Sequence, residues 1–290
     1  MFTKNYLYLL VLCTFLFNVV STNNLQFSNH IAKRAATGRN IRPSERACNS
    51  FPRTNARLVL RSITRFGAPE NLQHMAAIVT KNERGDGFEY KCVGTIIEKR
   101  FILTAAHCLD YLNGKETFVA VGVNNLRNLG QATRQRVKTK YIHPDYSMGI
   151  NDIALLELEN DLSFNSAVSP ACLYTDQNIP ETLTVGLWCR ESAEMLFESH
   201  PKYLTENECI RSFEGVQNFL NQNSFCVNEG ELCIGASGVG LVKKVNGVNY
   251  VVGVVVLGKS RGAEYVGPSI AMRVAGYLDF IENIVWSRRQ

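Results

Sequence analysis

The sequence contains no Asn-x-Ser/Thr acceptor, no Cys-x-x-Cys or His-x-x-x-His pair, no internal repeat and no low-complexity block. The first absence removes the usual handle for an N-linked glycan. The second excludes the short-spaced ligand sets of structural zinc, and no motif implies a cofactor. Past the first two dozen residues no run is long and apolar enough to span a bilayer, so no membrane span is expected in the mature chain. Net charge is a mild +5, partly concentrated in Ile31 to Arg46 without interleaved aromatic residues, which gives nucleic-acid binding little support.

What is present begins with "MFTKNYLYLLVLCTFLFNVVST": Lys4, an apolar run, then small residues. This pattern predicts a secretory signal peptide over residues 1–21, because Thr14 and Asn18 interrupt a run already short for a membrane anchor. The protein is therefore expected to be secreted and extracellular. Residues 22–61 read as a basic pro-segment or linker, with little apolar content. Within it Lys33-Arg34 is either a processing site or part of a solvated basic stretch. Cys13 leaves with the signal, so eight of nine cysteines remain, an even number that suggests four disulfides in an oxidising compartment.

From Asn71 onward, short apolar runs such as "HMAAIVT", "CVGTII", "ETFVAVGV", "IALLEL" and "NYVVGVVVLG" alternate with turn signals such as "ERGDG", "HPDY" and "KVNGVN". Many short strands at that spacing predict an all-β barrel or sandwich. Two stretches read as helix. "TENECIRSF" offers a Thr cap with Glu in the first turn, and "AGYLDFIENIVWSRR" places Leu278, Ile281, Ile284 and Val285 on one face.

Three segments carry chemistry in the order His, Asp, Ser: "FILTAAHC" with His107, "NDIALLEL" with Asp152, and "CIGASGVGLV" with Ser237. A serine hydroxyl is a poor nucleophile at neutral pH and needs an imidazole base. The imidazole in turn needs a carboxylate to hold its tautomer and stabilise its charged form. Each residue alone has a bland reading as a structural histidine, a turn acid or a loop serine; the ordered set is far more specific. A Gly-x-Ser-x-Gly elbow is excluded, since Val239 stands where it needs glycine and its triad runs in another order.

With "IHPDY", "SPACL" and a terminal helix in the same order, the chain resembles the chymotrypsin/trypsin-like (S1) serine protease family from about Ser62 to Trp286. The resemblance implies two six-stranded antiparallel β-barrels with a C-terminal helix, a protease domain over 62–290, and catalytic roles for His107, Asp152 and Ser237. It also implies an oxyanion hole from the Gly235 and Ser237 amides, and disulfides Cys92–Cys108 and Cys209–Cys226. "QHMAAIV" and Cys48, which would pair with Cys172, look most like the arthropod clip-domain proteases, although no clip module is expected, since only Cys48 precedes the barrel region.

The departures cluster at one place. Where the family reads Gly-Asp-Ser-Gly-Gly-Pro, this chain has Gly235-Ala236-Ser237-Gly238-Val239-Gly240. In the family that Asp receives the new N-terminal amine after activation; Ala236 has no carboxylate to offer. Cleavage after Arg61 would expose Ser62-Ile63-Thr64-Arg65 rather than Ile-Val-Gly-Gly. Val256 replaces the Ser that supports the triad Asp, and Leu257 the aromatic residue after it. Of the expected specificity pocket, Glu231 takes the base, where an acid would favour Arg or Lys substrates or would simply be a loop acid. Val256 and Gly258 belong to its wall, and Ser269 replaces a wall glycine. Cys233 keeps its family position, but its partner's place near Gly262 holds no cysteine. Cys189 is then left to bridge it, the alternative being two free thiols.

Two readings follow. One is a serine endopeptidase acting through an acyl-enzyme. The other, favoured by the coordinated losses, is an impaired homologue that binds or regulates: its partners would be a protease, a protease inhibitor or a protease substrate, by family analogy.

Overall fold

The computed structural model describes residues 41–51, 72–188, 195–213, 215–228, 236–261 and 264–287. The chain divides into two compact units, residues 1–46 and 47–290. In the first, Glu45 Oε2 accepts the Arg42 N–H and Arg46 N–H donates to Arg42 O. These residues open helix α1 (Pro43–Ser50), with proline at its first position, where the missing donor costs nothing. A short helix thus stands inside the segment read as a basic linker. Its Cys48 is disulfide-bonded to Cys172.

The second unit begins with a closed barrel. Strands β1 (Met75–Lys81), β2 (Phe88–Glu98), β3 (Phe101–Thr104), β4 (Thr117–Val121), β5 (Thr133–Ile142) and β6 (Ala154–Leu158) pair in the order β1-β2-β3-β6-β5-β4. β-branched and leucine side chains fill it: Ile78, Ile96, Ile102, Leu103, Val119 and Leu155 are all fully buried. The outer side of β5 is polar, and Arg136 spans Glu116 and Glu159 there. Exposed pairs of this kind add little stability.

In the second half, β7 (Cys172–Leu173) lies parallel to β13. The sheet β10 (Tyr203–Leu204), β11 (Ser224–Val227), β14 (Glu264–Arg273), β13 (Val248–Arg261), β12 (Gly240–Val245) runs in that order. Strands β8 (Val185–Trp188) and β9 (Leu196–Ser199) form a separate hairpin. Short bridges carry the ring round. Thr184 and Val242 exchange two backbone hydrogen bonds of 2.8 Å, Thr182 bridges Lys202, and Tyr203 N–H reaches Glu181 O at 3.0 Å. The segment entering β8 therefore touches both β12 and β10, and closes the second barrel. Two barrels and few helices match the expected fold class.

The predicted helices are present as α2 (Glu206–Ser212) and α3 (Leu278–Val285). Thr205 caps α2 and forms a reciprocal capping box with Glu208. α3 buries Leu278, Ile281 and Val285 on one face. The "NG" of "KVNGVN" is the two-residue hairpin between β12 and β13, with φ of 50° at Asn246 and 79° at Gly247. Left-handed angles at both positions are what such a turn requires. Disulfides Cys92–Cys108 and Cys209–Cys226 also form, as the resemblance implied. The remaining pair, Cys189 and Cys233, lies outside the described residues.

Candidate active site

β3 ends at Thr104; Ala105 and Ala106 follow, fully buried, and His107 opens a 3-10 turn over residues 107–112. Asp152 lies two residues before β6, the neighbour of β3, so adjacent strands of one barrel deliver both residues to the same end. Asp152 is 2% exposed. Its Oδ2 lies 2.8 Å from His107 Nδ1 and its Oδ1 accepts the His107 backbone N–H at 2.8 Å. A carboxylate only accepts, so Nδ1 is the protonated nitrogen and Nε2 carries the lone pair a general base needs. The ring keeps partial access to solvent, with 18% of the side chain exposed.

Asp152 is positioned by its neighbour. Asn151 takes a left-handed backbone conformation, φ 49°, and its side chain donates to Asp145 O while accepting from the Tyr277 hydroxyl at 3.1 Å. Burial, followed by the Asp152 charge, holds Tyr277 protonated well above the ordinary phenol range. Tyr146 is pushed up to about 12 by burial and then by the charges of Asp152 and Asp110. Both phenols therefore keep their protons at any ordinary pH, Tyr277 donating to Asn151 and Tyr146 to Asp110. Sequence reasoning passed over Asn151, Tyr146 and Tyr277. The one available signal was the asparagine before Asp152, a residue that tolerates the left-handed region.

Ser237 is half-buried in the turn before β12. Its carbonyl accepts Val93 N–H at 2.9 Å, and Val93 O accepts the Thr104 hydroxyl at 2.7 Å. Gly238 N–H donates to Val255 O at 2.8 Å. This glycine is required twice over. Its φ is +83°, and a Cβ there would lie 2.3 Å from Thr104 Oγ1 and 2.4 Å from Val93 O. The serine turn is thus pressed onto the end of β3, three residues before His107.

Ala236 is buried at 6% exposure beside the serine. Val256 is buried in β13, Leu257 half-buried, and Gly258 pairs with Ser269, which is fully buried in β14. Gly235 and Glu231 lie outside the described residues. Cys92, Cys108 and His107 bring ligand atoms within 4.8 Å of one another, but both sulfurs are spent in a disulfide.

A buried carboxylate is bonded to an imidazole and a serine turn is anchored on the same strand end, but among the described residues no hydrogen bond joins His107 to Ser237. The trypsin family model matches residues 65–281. Among curated proteins, the chain is 30% identical over 237 residues to "Serine protease Hayan" of Drosophila melanogaster, covering 73% of this chain and 37% of that protein. It is 31% identical over 232 residues to "CLIP domain-containing serine protease B15" of Anopheles gambiae, 69% of this chain and 62% of the relative. "Serine protease snk" of Drosophila melanogaster is 29% identical over 239 residues, 74% and 54%. The chain therefore spans about two fifths to three fifths of these relatives, and it belongs to the trypsin family.

Proposed function

We propose that this trypsin-family chain is a secreted protease homologue with impaired hydrolysis, serving as a binding or regulatory protein in an extracellular proteolytic cascade. The observation that carries the reading is Ala236. Where the family resemblance expects the carboxylate that receives an activated N-terminus, a methyl group sits 6% exposed. An ammonium brought to such a place would be desolvated without a partner, which costs several kcal/mol. The family's means of assembling an oxyanion hole is thus missing on its receiving side. Val256 adds to this, since a buried isopropyl group offers Asp152 no hydroxyl donor. The expected partners are a protease, a protease inhibitor or a protease substrate. Secretion rests on the signal-like residues 1–21 and fits the three disulfides among the described residues. Among the described residues no helix is long and apolar enough to cross a membrane.

The pairing of His107 with Asp152 favours a second reading, an active endopeptidase. In it Ser237 attacks the scissile carbonyl while His107 takes its proton. His107 then returns that proton to the leaving amine, and water hydrolyses the acyl-enzyme. Glu231 would select Arg or Lys. A fluorophosphonate probe separates the readings. Applied to the secreted chain before and after cleavage at Arg61, with Ser237→Ala as control, it should leave the protein unlabelled in both forms. Labelling that disappears in Ser237→Ala would overturn the impaired reading.

A further inference from the structure

A second concavity, of about 520 Å³, is formed by the 122–132 connection between β4 and β5, the 165–168 turn and Met195. None of His107, Asp152 and Ser237 lines it. Its chemistry is unusual for a surface. No lining side chain is charged, and five carry a carboxamide: Asn124, Asn125, Asn128, Gln131 and Asn165. Val121, Val123 and Val168 supply an apolar floor. The size falls in the range of ligand sites.

That composition excludes most ligands. A divalent cation would need carboxylates, and phosphate or sulfate would need a guanidinium or ammonium. No aromatic ring is available for a base to stack on. A carboxamide, by contrast, presents the same donor and acceptor as a peptide group.

The basin is also held in shape. Asn125 accepts Arg127 N–H and donates to Met195 Sδ, Leu196 N–H reaches Asn124 O at 2.7 Å, and Asn165 accepts Ala167 and Val168 N–H. Among the described residues the carboxamides of Asn124, Asn128 and Gln131 have no such internal duty. The nearest guanidinium on β5, Arg134, is occupied elsewhere, on Leu129 O and 4.3 Å over the Phe88 ring.

We propose that this basin binds an extended, uncharged peptide segment of a partner protein, held by main-chain hydrogen bonds to Asn124, Asn128 and Gln131 over the valine floor. Preformed walls reduce the ordering cost of binding. The site works whether or not Ser237 is active.

The test uses the full secreted chain carrying Ser237→Ala, so that cleavage cannot be mistaken for binding. An array of seven-residue peptides built from Ser, Thr, Gln, Ala and Val is compared with the same peptides carrying central Asp or Lys, and with chitotriose. Uncharged peptides should bind. Asn124→Ala/Asn128→Ala/Gln131→Ala should weaken them about tenfold or more, and methylating alternate peptide nitrogens should do the same. If the triple variant fails to fold, Gln131→Ala alone, at an exposed position, should weaken binding about threefold. Absence of binding, a preference for charged peptides or chitotriose, or affinity unchanged in the variants would overturn the proposal.

Discussion

His74 gives the most direct handle on how this fold depends on pH. It is 1% exposed, just before β1; Asn249 Nδ2 lies 3.3 Å from its Nδ1, and its Nε2 has no partner among the described residues. If Nδ1 accepts from the amide, Nε2 carries the proton as a buried, unpaired donor. Adding a second proton would set two donors face to face and place a charge in the interior. Burial accordingly pushes the imidazole down to about 4. The unfolded chain returns it to about 6.5. A depressed histidine binds fewer protons when folded, so its stability contribution is complete above pH 6.5 and is lost as pH falls toward 4.

The slope approaches roughly 1.4 kcal/mol per pH unit below pH 6.5, so a drop from pH 7.5 to 5 should cost about 2 kcal/mol through this one group. His143 is also lowered by burial, but less completely enclosed, and adds its own share in the same direction. The difference between wild type and His74→Asn therefore isolates His74. Asparagine keeps an acceptor toward Asn249 and cannot titrate. Urea unfolding at pH 7.5, 6.5, 5.5 and 5 should show the gap between the two proteins changing by about 2 kcal/mol in favour of the variant at low pH. Parallel curves would refute the reasoning and mean that His74 is accessible to protons in the native state.

Gly238→Ala should cost about 3 kcal/mol or more, since it combines a left-handed angle with a collision against Thr104 and Val93; thermal unfolding reads it, and a wild-type midpoint would show that the serine turn does not press on β3. Removing the Cys48–Cys172 bridge, which links residues 124 apart, should lower stability by about 2–5 kcal/mol, measured as the urea midpoint of the double alanine variant. Asn246→Ala should weaken the β12–β13 hairpin by about 1 kcal/mol, because alanine resists a positive φ, whereas Asn246→Gly should be nearly neutral in the same assay. Ala236→Asp alone should leave the chain unlabelled by a fluorophosphonate, since "SITR" rather than "IVGG" follows Arg61; labelling gained by that single change would show that the carboxylate was the only missing part.

The all-β class, both helices and the His107–Asp152 pair were legible because each rests on local pattern: strand-length apolar runs, a Thr cap, a motif beside a cysteine. The closure of the second barrel was not legible. It depends on Thr184 meeting Val242 and Thr182 meeting Lys202, isolated bridges whose residues carry no periodic signal. The support around Asp152 was hidden for a similar reason. Tyr277 falls inside the stretch whose pattern predicts the terminal helix, and only tertiary packing brings its hydroxyl to Asn151, 126 positions away. The amide-lined basin draws on three separate connections, none of them conspicuous in sequence.

These different origins bear on what a protease-like motif proves. In "GASGVG" two neighbouring positions answer to different constraints. Gly238 is demanded by packing and backbone angle: a Cβ there would strike Thr104 and Val93, whether or not Ser237 reacts. His107 and Asp152 also hold each other by a backbone and a side-chain hydrogen bond, which stabilises the barrel end without any substrate. Position 236 is different. It is buried and accommodates a methyl group, so the fold itself does not require a carboxylate there. An Asp at such a place is retained only where an incoming charge repays its desolvation. Gly238, His107 and Asp152 are therefore held by the fold itself, whereas position 236 has no carboxylate that the fold requires. That asymmetry, rather than the presence of Ser237, is the reason to look for a binding partner before a substrate.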